Sequence, residues 1–239
     1  MNIALIIAGG TGSRMGQDIP KQFLNVFDKP VIIYTLEVFE RNPLVDEIEV
    51  VCIEGWKEVL RTYSKQFGIS KLSEVVSGGE TAQESIRNGV FALKSRCKDS
   101  DIVIIHDGVR PLIETQIISD VVSKCAEYGN AVSSLPYNEQ IFIKSDETSS
   151  RSYIPRDKLR RVVTPQAYKF SKLLWAYEKA FAENIGISSS SYTNTLMSDL
   201  GETLYFASGS EKNIKLTTKE NLEIFKAYLR AEKDAWLKG

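Results

Sequence analysis

The chain has 239 residues, 43% of them hydrophobic and 26% charged, so a packed core is expected and whole-chain disorder is not. Thirty Lys and Arg stand against thirty-one Asp and Glu, and a net charge of −1 gives no global case for nucleic acid or an anionic membrane as partner. Three dispersed cysteines (Cys52, Cys97, Cys125) argue against a disulfide framework and fit a reducing compartment, and a single histidine, His106, excludes any metal site built on two or more histidines.

The opening apolar run, Ile3 to Ala8, reads as a buried strand of a parallel sheet. It is too short for a signal peptide, and no other run approaches membrane-spanning length. A soluble cytoplasmic protein is therefore expected. Pro30 to Arg41 carries apolar residues in helical spacing, Ile48 to Ile53 is a second strand, and Gly55 to Gly68 a second helix. Val75-Val76 is a short strand that stops at Gly78-Gly79, and Thr81 to Arg96 is the next helix. Asp101 to Ile105 is a strongly apolar strand ending in His106-Asp107-Gly108. Glu114 to Tyr128 is helical, and Ala131 to Leu135 a strand. This alternation predicts an α/β fold, a mostly parallel sheet with helices on both faces.

The rhythm breaks between Pro136 and Gln166. Ile141 to Ile143 and Ser152 to Ile154 flank a polar, turn-like run, which predicts a β-hairpin arm projecting from the domain across residues 137–163. Such an arm has little core of its own, and packing on a second subunit explains it. A helix follows from Ser171 to Glu183, then a serine-rich loop. Short strands are expected at Leu204 to Phe206 and Ile214 to Leu216, and a closing helix at Lys219 to Leu237. No internal repeat or separating linker interrupts the chain, so residues 1–239 read as one domain.

Ala8-Gly9-Gly10-Thr11-Gly12-Ser13-Arg14 directly follows the first strand. Glycines let backbone N–H groups crowd around phosphate oxygens, and Arg14 adds a fixed cation. A dinucleotide fingerprint would need glycine where Met15 stands, and Pro20 interrupts the helix it requires; a Walker A loop fails for want of Gly-Lys-Ser/Thr. Lys21 follows Pro20, whose ring restricts the local backbone. With Arg14 it suits a triphosphate whose α-phosphorus is attacked. Asp107 ends a strand, a position suited to Mg²⁺, and Arg110 suits a second anion. Thr164-Pro165-Gln166 and Asn213-Ile214-Lys215 complete the set.

In order and spacing, these motifs resemble those of the cytidylyltransferases that act on 2-C-methyl-D-erythritol 4-phosphate or ribitol 5-phosphate. The resemblance spans almost the whole chain. It implies a Rossmann-like nucleotidyltransferase fold in three layers, Mg²⁺ with CTP as donor, a phosphorylated polyol as acceptor, and a homodimer joined through the arm. Carried over residue by residue, it makes Arg14, Lys21 and Lys215 the charge-neutralising catalytic groups. Ala8, Gly9, Gly10, Thr11 and Gly12 would cradle CTP. Gly79, Glu80 and Ser85 would meet the cytosine, and Gly108 the ribose. Asp107 would hold Mg²⁺ and the acceptor, completed by Arg110, Thr193 and, from a neighbouring subunit, Arg156. Ala82 and Asn194 depart from the family pattern, and Asn138-Glu139-Gln140 and Gly108-Val109 from that of the isoprenoid enzymes. Ribitol 5-phosphate, for a surface polymer, is therefore the first expectation and methylerythritol phosphate the second. An NAD(P)-dependent oxidoreductase and a non-catalytic nucleotide-binding module stand as the remaining alternatives.

Overall fold

The computed structural model describes residues 1–10, 19–188 and 191–237. The first strand, β1 (Asn2–Ala8), is almost wholly buried and alternates its faces. Ile3 and Leu5 point into one apolar cluster, and Ala4, Ile6 and Ala8 into another. Two opposite faces of one strand thus need two covering layers.

The chain supplies them in turn. After the small hairpin β2 (Asn25–Val26) and β3 (Lys29–Pro30) comes α1 (Val31–Arg41), then β4 (Glu47–Cys52), α2 (Lys57–Gln66) and β5 (Leu72–Ser77). Next follow α3 (Ala82–Ala92), β6 (Ile102–Asp107), α4 (Thr115–Tyr128) and β7 (Asn130–Pro136). One face of the sheet is covered by Ile32, Leu36 and Phe39 of α1, Leu60 of α2, and Ile117, Ile118 and Val121 of α4. The other is covered by Ile86 and Val90 of α3, and by Leu173 and Tyr177 of α5 (Phe170–Glu183). Each large apolar side chain removed from water contributes about 1.5–3 kcal/mol, which makes these two clusters the main stabilising element.

With β10 (Arg160–Lys169) and β11 (Phe206–Ser208), the seven-stranded sheet runs β11-β7-β10-β6-β1-β4-β5. Its pairings are parallel except around β10, which is antiparallel to both β6 and β7. The three-layer α/β fold is as the sequence predicts, but β10 is a ten-residue strand where only a motif was expected. Its exposed basic start and its central proline hide the strand pattern. Pairing with β7 slips between Val163 and Gln166, where Pro165 has no N–H to give.

The arm forms as expected: β8 (Ile141–Lys144) and β9 (Ser150–Ile154) make a two-stranded sheet apart from the main one. Three other expectations shift. The strand expected at Leu204 to Phe206 lies two residues later, as β11 (Phe206–Ser208). A short helix, α6 (Thr193–Asp199), follows the serine-rich loop. No strand forms at Ile214 to Leu216. Leu216 instead donates its N–H to the Val109 carbonyl, and its side chain packs with Val26, Val31 and Phe225. Phe225 belongs to α7 (Lys219–Leu237), so this apolar run serves a helix-covered cluster rather than a sheet. Among the described residues no helix is long and apolar enough to cross a membrane.

Candidate active site

From β1 the sheet grows through β4 and β5 on one side and through β6 on the other. The carboxyl ends of β1 and β6 therefore flank the point where strand order reverses, which is where α/β sheets open a ligand crevice. A cleft of about 620 Å³ lies there.

Its first wall is the chain leaving β1. Ala8, Gly9 and Gly10 line the cleft. The buried amide of Gln22 donates to the Ala8 carbonyl at 2.7 Å and the Gly10 carbonyl at 3.0 Å. Gln22 sits in a short 3-10 turn with Lys21 and Phe23, and Phe23 stacks on Trp56 at 4.7 Å. The Ala8–Gly10 backbone and the Lys21 turn are thus tied together, and Lys21 lines the cleft as expected. Thr11, Gly12 and Arg14 lie outside the described residues.

The second wall is the turn into α3, where Gly79, Glu80 and Ser85 line the cleft together. Ser85 Oγ accepts the Gly79 N–H at 2.9 Å. Thr81 caps α3 by accepting the Glu84 N–H at 3.1 Å, and Glu84 accepts the Thr81 N–H at 3.0 Å. This capping box fixes the first turn of α3 against the cleft. A side chain on Gly79 would run into Glu84, so the close turn needs glycine here. Gly108, expected near the ribose, has a packing role of its own. It is not among the cleft's lining residues, and a Cβ on it would press on Ile7 O at 3.2 Å and Ile6 Cγ2 at 3.3 Å. It lets the end of β6 lie tight on β1.

The floor is Asp107. Its Oδ1 accepts from Lys215 Nζ at 2.9 Å and its Oδ2 from Arg110 Nε at 2.8 Å. Burial alone would raise this carboxyl; Lys215 and Arg110 overcome it and hold it well below the usual carboxylate range. Arg110 also donates to the Asn213 carbonyl at 2.7 Å, and Asn213 Nδ2 donates to the Thr164 carbonyl at 2.7 Å. The Asp107 N–H donates to Thr164 Oγ1 at 3.2 Å. Residues far apart in sequence thus form one polar cluster. His106 stands behind it, fully buried beside Phe39, with Nε2 3.2 Å from the Arg110 carbonyl. Burial pushes its pKa down to about 4, so the ring is neutral near pH 7 and holds the strand end rather than titrating.

Thr193 lines the cleft from the start of α6, and Tyr192 beside it places its ring 5.5 Å from Lys215 Nζ. A side pocket of about 140 Å³ opens next to it, between Asp107, Arg110, Thr164, Tyr192 and Asn194. Arg156 is not brought to the cleft. It is exposed, in a 3-10 turn after the arm. Gln22, Thr164, Asn213 and Tyr192 were not expected as site residues. The first three lie within motifs legible in the sequence, next to Lys21, Gln166 and Lys215. Tyr192 carries no such signal, because it follows a loop of low complexity.

A glycine-built crevice at a strand-order switch, lined by Lys21 and holding a lysine and an arginine on one strand-end carboxylate, suits an α/β enzyme that handles phosphate esters. The chain belongs to the IspD family, 2-C-methyl-D-erythritol 4-phosphate cytidylyltransferase, whose model matches residues 2–231. It is therefore a cytidylyltransferase, a nucleotidyltransferase of a CTP-using family. It is 57% identical over 230 residues to the ribitol-5-phosphate cytidylyltransferase of Lacticaseibacillus paracasei, covering 96% of this chain and 98% of that protein. To the 2-C-methyl-D-erythritol 4-phosphate cytidylyltransferase of Clostridium novyi it is 34% identical, over 95% of this chain and 96% of that one. The crystal structure of 4-diphosphocytidyl-2C-methyl-D-erythritol synthase from Anaerococcus prevotii shares the fold. Its TM-score is 0.81 at 23% identity, over 96% of this chain and 98% of that one.

Proposed function

We propose that this cytidylyltransferase moves CMP from CTP to ribitol 5-phosphate, releasing pyrophosphate and forming CDP-ribitol for a surface polymer. The observation that carries the choice of acceptor is the 57% identity, over nearly the full length of both chains, to a protein named for ribitol 5-phosphate. The isoprenoid acceptor is the second reading, supported by the name of the matching family model and by 34% identity.

The chemistry needs no protein nucleophile. A phosphate oxygen of the acceptor attacks the α-phosphorus in line, a P–O bond forms, and the bond to the β-phosphate oxygen breaks as pyrophosphate leaves. The acceptor phosphate is an anion at neutral pH, so no general base is required, in keeping with the buried neutral His106. Lys21 and Lys215, with Arg14, neutralise the charge on the triphosphate and on the pentavalent phosphorus. The Gly79–Ser85 turn receives the cytosine. Arg110 and the side pocket receive the acceptor, with Asp107 holding Arg110 and Lys215 in place.

Mg²⁺ was expected on Asp107. The donor set does not fit a resident ion there: both carboxylate oxygens already accept from cations. Among the described residues no group of three or more metal-binding side chains assembles. Mg²⁺ belongs to this reading as a companion of the CTP phosphates.

The second subunit is also part of the proposal. Phe142 and Tyr153, 59% and 65% exposed, pack on each other across the arm with ring centroids 6.1 Å apart. A second copy covering them would bring its Arg156 towards the acceptor site of this one. Steady-state kinetics of Arg156→Ala test this: the acceptor KM should rise and the CTP KM should not. The reverse pattern would exclude it.

A further inference from the structure

Beneath the cleft, three buried polar side chains join elements that the reaction must hold in register. Tyr177 of α5 is fully buried, and its hydroxyl donates to Gln83 Oε1 at 3.0 Å. The same hydroxyl lies 2.8 Å from Thr193 Oγ1. Gln83 belongs to the first turn of α3 and donates from Nε2 to the Tyr192 carbonyl at 3.2 Å.

The directions of these bonds follow from one fixed point. The Tyr192 carbonyl only accepts, so the Gln83 amide must turn its nitrogen to it and its oxygen to Tyr177. The single Tyr177 proton is thereby committed to Gln83. Thr193 must then donate its own proton to the Tyr177 oxygen. What Thr193 has left to offer the cleft is a lone pair.

We infer that Tyr177 is a positioning residue that makes Thr193 an obligate hydrogen-bond acceptor, so that Thr193 recognises a hydroxyl of the acceptor's polyol chain and not its phosphate. The inference deepens the reading of the acceptor as a polyol phosphate and rests on it. A phosphate dianion has no proton to give Thr193, whereas an alcohol has. Sites that hydrogen-bond a substrate hydroxyl discriminate against analogues lacking it, because the buried partner is left unpaired.

The test compares ribitol 5-phosphate with its mono-deoxy analogues, using wild type, Tyr177→Phe and Thr193→Ser. In the wild type one deoxy analogue should lose about tenfold or more in kcat/KM, the effect of one unmade hydrogen bond. That penalty should fall severalfold in Tyr177→Phe, where Thr193 keeps its lone pairs but its freed proton lets the hydroxyl turn to other partners, and should persist in Thr193→Ser. The CTP KM should stay within about twofold throughout. A deoxy penalty equal in wild type and Tyr177→Phe overturns the inference. So does a weakened preference for CTP over UTP in Tyr177→Phe, which would place the cytosine amino group at Thr193. A wild type that ignores ribitol 5-phosphate but uses another polyol phosphate defeats the choice of acceptor alone. The same comparison, run on deoxy forms of that acceptor, then decides the role of Tyr177.

Discussion

Asp107 shows how one residue gathers a site. Its two oxygens hold Arg110 and Lys215, so one carboxylate orients the cation proposed for the acceptor and the cation proposed for the α-phosphate. Replacing Lys215 by Met, or Lys21 by Ala, should lower kcat on the order of 10²–10³-fold, the usual cost of one preorganised charge-stabilising group. A near-normal kcat in both variants would refute their roles. His106 makes a separate statement, about stability. Its folded pKa of about 4 lies below the ordinary 6.5, because burial disfavours the imidazolium. The unfolded chain therefore binds a proton that the folded one refuses. Its contribution is present above pH 6.5 and is lost as pH falls, by about 3 kcal/mol at pH 4. Glu49 runs the opposite way. Burial raises it to about 7 despite Arg96, so its contribution declines as pH rises from 4.5 to 7. Urea unfolding of wild type and His106→Asn at several pH values separates the two, since Glu49 is common to both. The wild type should lose stability relative to the variant between pH 6.5 and 4, and parallel curves would contradict this. Most of these site residues were legible because glycine, lysine and aspartate stand in short motifs at strand ends. Tyr177, Gln83 and Tyr192 were not. A tyrosine on an apolar helix face looks like core until its hydroxyl finds partners.

The elements most exposed to error were those whose sequence pattern is broken by the site itself. β1 and β6 are near-continuous apolar runs because both faces are covered, and β4 keeps Ile48 and Val50 to Cys52 apolar around the buried Glu49, so all three are plain from sequence. β10 is interrupted at Pro165, where Thr164 turns its hydroxyl to Asp107, so function there disguises the strand. Ile214 to Leu216 looks like a strand but packs under α7, since a short apolar run does not reveal which surface it will cover. The turn into α3 is the element proposed to receive the cytosine. Gly79→Ala should weaken CTP binding about tenfold or more, because the added methyl meets Glu84 and displaces the capped turn. Gly89→Ala provides the contrast. Its Cβ would lie 2.6 Å from Leu5 Cδ1 and 2.7 Å from Val51 Cγ2, in the core. That substitution should cost about 1–3 kcal/mol of stability through overpacking, with little change in CTP affinity. Calorimetric titration with CTP and thermal unfolding distinguish the two outcomes. Equal effects of both variants on CTP affinity would contradict the role given to the α3 turn.

At the scale of the whole molecule, the arm is a part of the described chain whose shape a single copy leaves unexplained. A two-stranded ribbon with exposed Phe142, Ile143 and Tyr153 is marginal in water. On the proposed reading a second copy would cover this apolar surface, and dimerisation would be tied to acceptor binding through Arg156. Sedimentation should show a dimer for the wild type and a monomer for Phe142→Glu/Tyr153→Glu; an unchanged assembly in that variant would exclude the arm as the joint. The arm itself was legible from its two short strands and polar turn, whereas its partner is not, since one chain carries no record of what covers it. The central claim concerns chemistry and is open to a direct measurement. Pyrophosphate release is followed with CTP, Mg²⁺ and a panel containing ribitol 5-phosphate, methylerythritol phosphate and other polyol phosphates. The expected result is turnover with ribitol 5-phosphate, at a kcat/KM well above that of every other acceptor. Turnover confined to methylerythritol phosphate would contradict it.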